Sequence, residues 1–358
     1  MPVDTTISHH GPGRTATFRP RLSVLDLAML REGATSAEAL SDTTALARRA
    51  DALGYSRFWV AEHHNMATVA STTPPVLIAH LAANTHNIRL GSGGVMLPNH
   101  PPLVVAEQFA MLEALYPGRI DLGIGRAPGT DHATAIALRR SADALGAEDF
   151  PRHLIDLMGL LGDVRADEGL WDQFRATPVA TSSPWIVLLG SSGYSAELAG
   201  HLGLPFSFAH HFDLGSRENT VRAFELYRAR FQPSAVLDEP FAIVSANVLT
   251  APTAEEADFQ AGPGRLMSLA RRTGRFDPVC SPESAARNPG LAAARTIPTN
   301  RLVGAPELVA DQLELLAEDT QADEVMVATM THGIEERCQS LELLAGEWEL
   351  RDLKISLH

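Results

Sequence analysis

A single α/β barrel of the (β/α)8 type, with insertions after strands four and seven, is the architecture this 358-residue chain predicts. Three observations carry it. Short apolar runs alternate with helical stretches eight times with no second compositional regime, as in a parallel sheet closed on itself. Three of those runs end in polar or glycine residues, namely Glu62-His63-His64, Gly91-Ser92-Gly93-Gly94 and Arg126-Ala127-Pro128-Gly129. Chemistry placed repeatedly where a strand gives way to a helix is how such a barrel builds a site on one face. Finally, residues 22–31 lack the glycine-rich turn that an open, doubly wound sheet places after its first strand.

The first strand is predicted over residues 22–30. A helix begins near Thr35, whose spacing to Glu38 fits a capping box; Leu46, Ala50 and Leu53 share one face and Gly54 stops it. Strand two covers 57–61, and the following helix opens at Pro74-Pro75, where a missing N–H costs nothing. Strand three spans 88–97, a helix with Val105, Phe109 and Leu112 inward follows Pro101-Pro102, and strand four spans 119–124. Residues 130–183 form the first insertion, helical over 154–161 and otherwise irregular. Strands five, six and seven cover 185–189, 205–209 and 241–249, separated by helices from Ser195 and over 219–231. Residues 251–299 read as a second irregular insertion and the candidate lid. A helix from Pro306, strand eight at 324–329 and a helix over 334–348 complete the alternation. The barrel thus occupies 21–350, between a flexible N-terminus (1–20) and a short tail (351–358).

With 45% hydrophobic and 20% charged residues the chain can bury a substantial core. A net charge of −14 excludes nucleic acid and anionic membranes as expected partners. Lys354 is the only lysine, so Schiff-base mechanisms deep in the chain are excluded as well. Cys280 and Cys338 make no metal or disulfide pattern, and the first twenty residues lack the apolar run of a signal peptide. No stretch approaches a membrane span. A soluble, cytoplasmic protein is the expectation.

Alternation along a strand sends one of His63 and His64 inward, and an imidazole at a barrel mouth exchanges protons near neutral pH. The alternative is a pair of histidines bonded to loop backbone. The glycines around Ser92 read either as a packing bulge or as bare backbone for a flat molecule. Arg126 suits a phosphate through forked hydrogen bonds, or a structural ion pair. Gly190-Ser191-Ser192-Gly193-Tyr194-Ser195 leads into a helix whose N-terminus attracts anions, unless it is a plain capped turn. Arg126 and this loop leave neighbouring strands, so one phosphate can reach both. His210, His211 and His332 read as pocket lining rather than as metal ligands alongside His63, and no metal is expected. Arg265, Arg271, Arg272 and Arg275 are either a solvated face or a closure over an anionic substrate.

At these residues the sequence resembles the bacterial luciferase-like flavin-dependent monooxygenases, in their single-chain branch. The resemblance rests on Ala61-Glu62-His63-His64, on Gly91-Ser92-Gly93-Gly94-Val95-Met96-Leu97-Pro98 and on Gly123-Ile124-Gly125-Arg126-Ala127-Pro128-Gly129. Gly190-Ser191-Ser192-Gly193, Gly203-Leu204-Pro205 and Val303-Gly304-Ala305-Pro306 extend it along the chain. It implies a TIM-like barrel that binds reduced FMN at the strand C-termini, with O2 attacking the flavin to give a peroxyflavin that oxidises a small organic substrate. His63 is then the catalytic histidine. Ser92, Gly93, Gly94, Arg126, Gly190, Ser191, Ser192, Gly193, Tyr194 and Ser195 bind cofactor, with Arg126 and the serine loop on its phosphate. The family's non-proline cis peptide falls on Gly93–Gly94. A separate flavin reductase would supply the reduced flavin, and a homodimer is expected by analogy. Two departures tell against light emission: Gly190 replaces a glutamate of the luciferase loop and Gly125 a reactive cysteine. A deazaflavin-dependent hydride-transfer enzyme and a non-catalytic flavin-binding accessory subunit are the alternatives on the same fold.

Overall fold

The computed structural model describes residues 19–350 apart from 128, 140–148, 213–215, 273 and 275–276. The expected N-terminal segment up to residue 18, the tail, Pro128, Arg275 and Lys354 therefore lie outside the described residues. Eight parallel strands close into a ring: β1 (Arg21–Asp26), β2 (Arg57–Val60), β3 (Arg89–Met96), β4 (Ile120–Gly125), β5 (Trp185–Gly190), β6 (Phe206–Phe208), β7 (Ala242–Thr250) and β9 (Glu324–Ala328). β6 pairs with β7, β7 with β9, and β9 with β1, which completes the barrel. A ninth strand, β8 (Leu302–Gly304), lies outside the ring and pairs with the end of β7 through Val248↔Leu302. The sequence pattern misses β8 because three residues show no periodicity.

Helices surround the ring: α1 (Ser36–Leu53), α2 (Pro74–Ala82), α3 (Pro102–Leu115), α4 (His132–Arg139), α5 (Phe150–Leu160), α6 (Gly193–His201) and α7 (Arg217–Arg230). Thr35 caps α1 in the expected capping box with Glu38, and Gly54 ends it in the left-handed conformation at φ 95°. β1 is shorter than predicted. Ala28 takes φ 49°, ending the strand, and Met29 bridges antiparallel to Val69. That turn carries the chain across the barrel mouth.

The second insertion is helical rather than irregular: α8 (Ala254–Gln260), α9 (Gly262–Arg271), α10 (Pro282–Arg287) and α11 (Leu291–Arg295). Its prolines and serines read as loop signals, but they stand at helix starts. Thr253 accepts from the Glu256 N–H, Ser281 from that of Ser284, and Pro263 and Pro282 sit in first turns. α12 (Pro306–Thr320) and α13 (Ile334–Glu347) close the chain.

Period-two alternation sorts each strand into two faces. Phe58, Val60, Leu122, Ile124, Val325 and Val327 pack outward against the helices. Leu25, Trp59, Val187, Ile243 and Met326 form a separate apolar layer inside the ring. Below it, the floor is ionic. Arg57 Nη1 lies 2.8 Å from Asp121 Oδ2, and its Nε 3.0 Å from Glu324 Oε2. Trp59 Nε1 donates to Asp121 at 3.0 Å, and Arg89 pairs with the same carboxylate at 2.6 Å. The Arg57 guanidinium also stacks 4.1 Å from the Trp185 ring centroid. Burial alone would lower the Arg57 pKa, but Glu324 and Asp121 outweigh it and raise it. Arg57→Met removes the cation while leaving two buried carboxylates, so it should destabilise the fold by roughly 3–5 kcal/mol. Urea unfolding checks this, and a loss under about 1 kcal/mol would show that the ionic floor is not what holds the barrel.

Candidate active site

Two residues above the apolar layer, three inward positions hold small side chains: Ala61, Gly125 and, on β7, Ser245. Space opens there into a cavity of about 870 Å³. Its walls come from strand ends, from the turn after β1, and from α9. The second insertion thus roofs the mouth, as a lid would.

His63 and Arg126, from the ends of β2 and β4, line this one cavity together with Gly93 and Gly94. His63 Nδ1 lies 3.2 Å from the Gly129 carbonyl oxygen. A carbonyl only accepts, so Nδ1 carries the proton and the neutral ring leaves Nε2 as an acceptor. Burial lowers the His63 pKa, the Gly129 carbonyl opposes this, and the Arg271 charge lowers it further. Near pH 7 the ring is therefore a neutral base.

His64 does not share the site. Its Nε2 lies 2.8 Å from Glu62 Oε1, and so does that of His100, while the other Glu62 oxygen accepts the Met96 N–H at 3.1 Å. Burial raises the Glu62 pKa, but the His100 and His64 hydrogen bonds bring it down to about 2. One ligand atom from each of Glu62, His64 and His100 falls within 4.8 Å of the others, a spacing open to a metal. The mutual hydrogen bonds already account for that grouping.

The Gly93–Gly94 peptide is cis. A Cβ on Gly94 would come 2.8 Å from the Gly123 oxygen, and one on Gly93 2.7 Å from Leu25 Cδ1. Only bare backbone fits there, which leaves a flat floor beside His63. Ser92 is a correction: it is fully buried, does not line the cavity and donates to the Gly123 carbonyl at 2.8 Å. Its hydroxyl ties β3 to β4.

On the far wall, Arg126 stacks 4.2 Å from the Tyr194 ring centroid and, among the described residues, has no carboxylate partner. Gly190, Ser191, Ser192 and Ser195 line the cavity with it. A Cβ on Gly190 would meet Ser195 Oγ at 2.6 Å, so glycine lets the start of α6 close on the strand end. Ser192 is the N-cap of α6, and its side chain makes no capping bond. Free N–H groups, hydroxyls and an unpaired guanidinium suit a phosphate. Gly193 and Tyr194 frame this wall without lining the cavity.

Of the other histidines, His211 lines the cavity. Its Nδ1 lies 2.6 Å from Ser245 Oγ, which itself donates to the Phe208 carbonyl. His210 is buried on Thr220, and neither it nor His332 reaches the cavity, correcting the expected lining role of both. The apolar wall of Met29, Met66, Leu266, Met267 and Met330 escaped sequence reasoning.

Following His63 by imidazole NMR should give a titration midpoint below the ordinary value of about 6.5. Because Arg271 lowers it, Arg271→Gln should move that midpoint up. A midpoint that stays put would separate the two groups.

The model of the luciferase-like monooxygenase family matches residues 21–324. A luciferase-like monooxygenase of Escherichia coli (strain K12) is 42% identical, covering 90% of this chain and 95% of its own. The N-acetyl-S-alkylcysteine monooxygenase of Bacillus subtilis (strain 168) is 36% identical over 91% of this chain and 97% of its own. The crystal structure of apo-MsnO8 superposes with a TM-score of 0.81 at 38% identity, covering 92% of this chain and 98% of that one. More distant solved folds include a type II Baeyer-Villiger monooxygenase component in complex with FMN, at 20% identity and a TM-score of 0.68. Another is an F420-dependent secondary alcohol dehydrogenase, at 12% and 0.67. The chain belongs to the luciferase-like monooxygenase family.

Proposed function

We propose that this chain is a flavin-dependent monooxygenase that uses reduced FMN and O2 to oxidise a small organic substrate. The observation that carries this reading is the single cavity in which the His63 ring, the bare Gly93–Gly94 backbone and the Arg126 wall meet. An aromatic, three-ring cofactor with a phosphate tail fits that set: a flat floor for the rings, and a guanidinium with a helix N-terminus for the tail. The monooxygenase names of family relatives support the reaction type.

Bound reduced FMN would supply the oxygen-activating chemistry. Arg126, Ser191, Ser192 and Ser195 would hold its phosphate, with Tyr194 stacking on the guanidinium to keep it aimed. His63 Nε2 would accept a proton beside the bare floor while Gly129 fixes the ring. Leu266 and Met267 of α9 would keep water from the site. A separate flavin reductase would supply the reduced cofactor.

The F420-dependent fold neighbour keeps a deazaflavin hydride-transfer enzyme as the second reading, decided by anaerobic titration with each reduced cofactor. His63→Ala should leave FMN binding intact and cut product formation about a hundredfold or more in a screen of aldehydes, aromatics and thioethers. Arg126→Ala should weaken FMN about tenfold and riboflavin little. Unchanged turnover in the first variant, or equal losses of both flavins in the second, would remove the corresponding role.

We further propose a homodimer that buries the exposed apolar side chains of α2 and α3, namely Val76, Val104, Met111 and Leu115. Light scattering should find a dimer that Met111→Glu with Leu115→Glu converts to a monomer. A wild-type monomer would refute it.

A further inference from the structure

The second insertion carries arginines whose roles the structure separates. Arg265 Nη1 pairs with Asp258 at 2.5 Å, and Arg295 joins the same carboxylate at 2.6 Å. Arg271 and Arg272 are both exposed, and of the two only Arg271 lines the cavity. Arg271 differs. It ends α9, lines the cavity, and makes no hydrogen bond or ion pair among the described residues. Its charge reaches across the cavity far enough to bear on His63.

Arg126 and Arg271 are the two guanidiniums on the cavity wall, against the single carboxylate of Asp277 among the described lining residues. Asp277 has an interaction of its own. If the phosphate of a flavin takes Arg126, the second cation on the cavity wall is left for another anion. The surface around it is soft and apolar: Met29, Met66, Leu266, Met267 and Met330. A neutral hydrocarbon would make no use of Arg271, which stands solvent-exposed at the cavity edge, and an amine would be repelled by it. An apolar body with one anionic end satisfies both halves of the wall.

We propose that Arg271 forms the anion subsite of the substrate pocket, taking the carboxylate or sulfonate of a substrate whose apolar body lies against the methionine-lined wall. This deepens the monooxygenase reading and rests on it for the assignment of the other guanidinium to the cofactor. The subsite itself is read from the protein alone.

Isothermal calorimetry on the full chain tests it, with and without bound FMN. The probes are decanoate, decanesulfonate, decanol and decylamine, together with hexanoate and dodecanoate. Wild-type protein should bind at least one anionic probe about tenfold more tightly than decanol, with decylamine weakest. Arg271→Gln should bring acid and alcohol to near-equal affinity, while Arg272→Gln keeps the preference. FMN affinity, measured in the same samples, should be unchanged by both substitutions. Equal affinity of acids and decanol in the wild type would overturn the proposal. So would an acid preference that survives Arg271→Gln, or no binding by any acid in the series. Loss of FMN binding in the wild type would instead sink the flavin reading, and the flavin-free titrations would still judge Arg271.

Discussion

A guanidinium buried among three strands that are not all neighbours dictates more of this molecule than any apolar contact. Arg57 rises from the start of β2, yet its partners sit on β4 and β9, each with another strand between it and β2. Neither carboxylate can slide by one residue without turning outward and leaving a buried charge alone. The pairing therefore sets the relative height of strands that share no hydrogen bond. Four residues further along the same strands come Ala61, Gly125 and Ala328, all on the inward face. The floor of ions and the floor of the cavity are thus two levels of one register.

Three histidines at the mouth show how accepting atoms decide a role. His63 faces a carbonyl and must put its proton on Nδ1, leaving Nε2 open toward the cavity. His64 and His100 face a carboxylate held down to about 2 and donate through Nε2. Glu62 thereby binds β3 through the Met96 N–H, just beyond the bare glycine floor. One dipeptide of identical side chains splits into a base with a free lone pair and a strut. What separates them is strand alternation and the neighbour each ring meets.

Most of the barrel was legible in the sequence because its signals are local. The alternation of runs, the Thr35 and Glu38 box and the proline-opened helices are each set within a few residues. Even the meeting of His63, Arg126 and the serine loop follows from strand order alone. The Arg57 network was not legible, since its members lie 64 and 267 residues apart and a lone arginine opening a strand looks ordinary. Ser92 was assigned to the cofactor through the family resemblance, although alternation pairs it with Val60 and Leu122 on the outward face. The helices of the second insertion were hidden by prolines and serines that mark loops and first turns alike.

The two ends of the cavity are built on different principles, with a consequence for how substrate choice can vary. The Arg126 wall and the glycine floor are made of strand ends and main chain, so they are tied to the register of the barrel. Leu266 and Met267 of the apolar wall, with Arg271, belong to an insertion that leaves β7 and returns through β8. Those strands pair directly, Val248 with Leu302 and Thr250 with Gly304, so the ends of the insertion are pinned side by side. Lengthening or shortening a segment between fixed neighbours changes its closure entropy only slightly, by about 0.6 kcal/mol for each doubling. The segment that roofs the cavity can therefore be rebuilt at little cost to the barrel. A change at the Arg126 wall would instead move the ring of strands that the ionic floor holds in place.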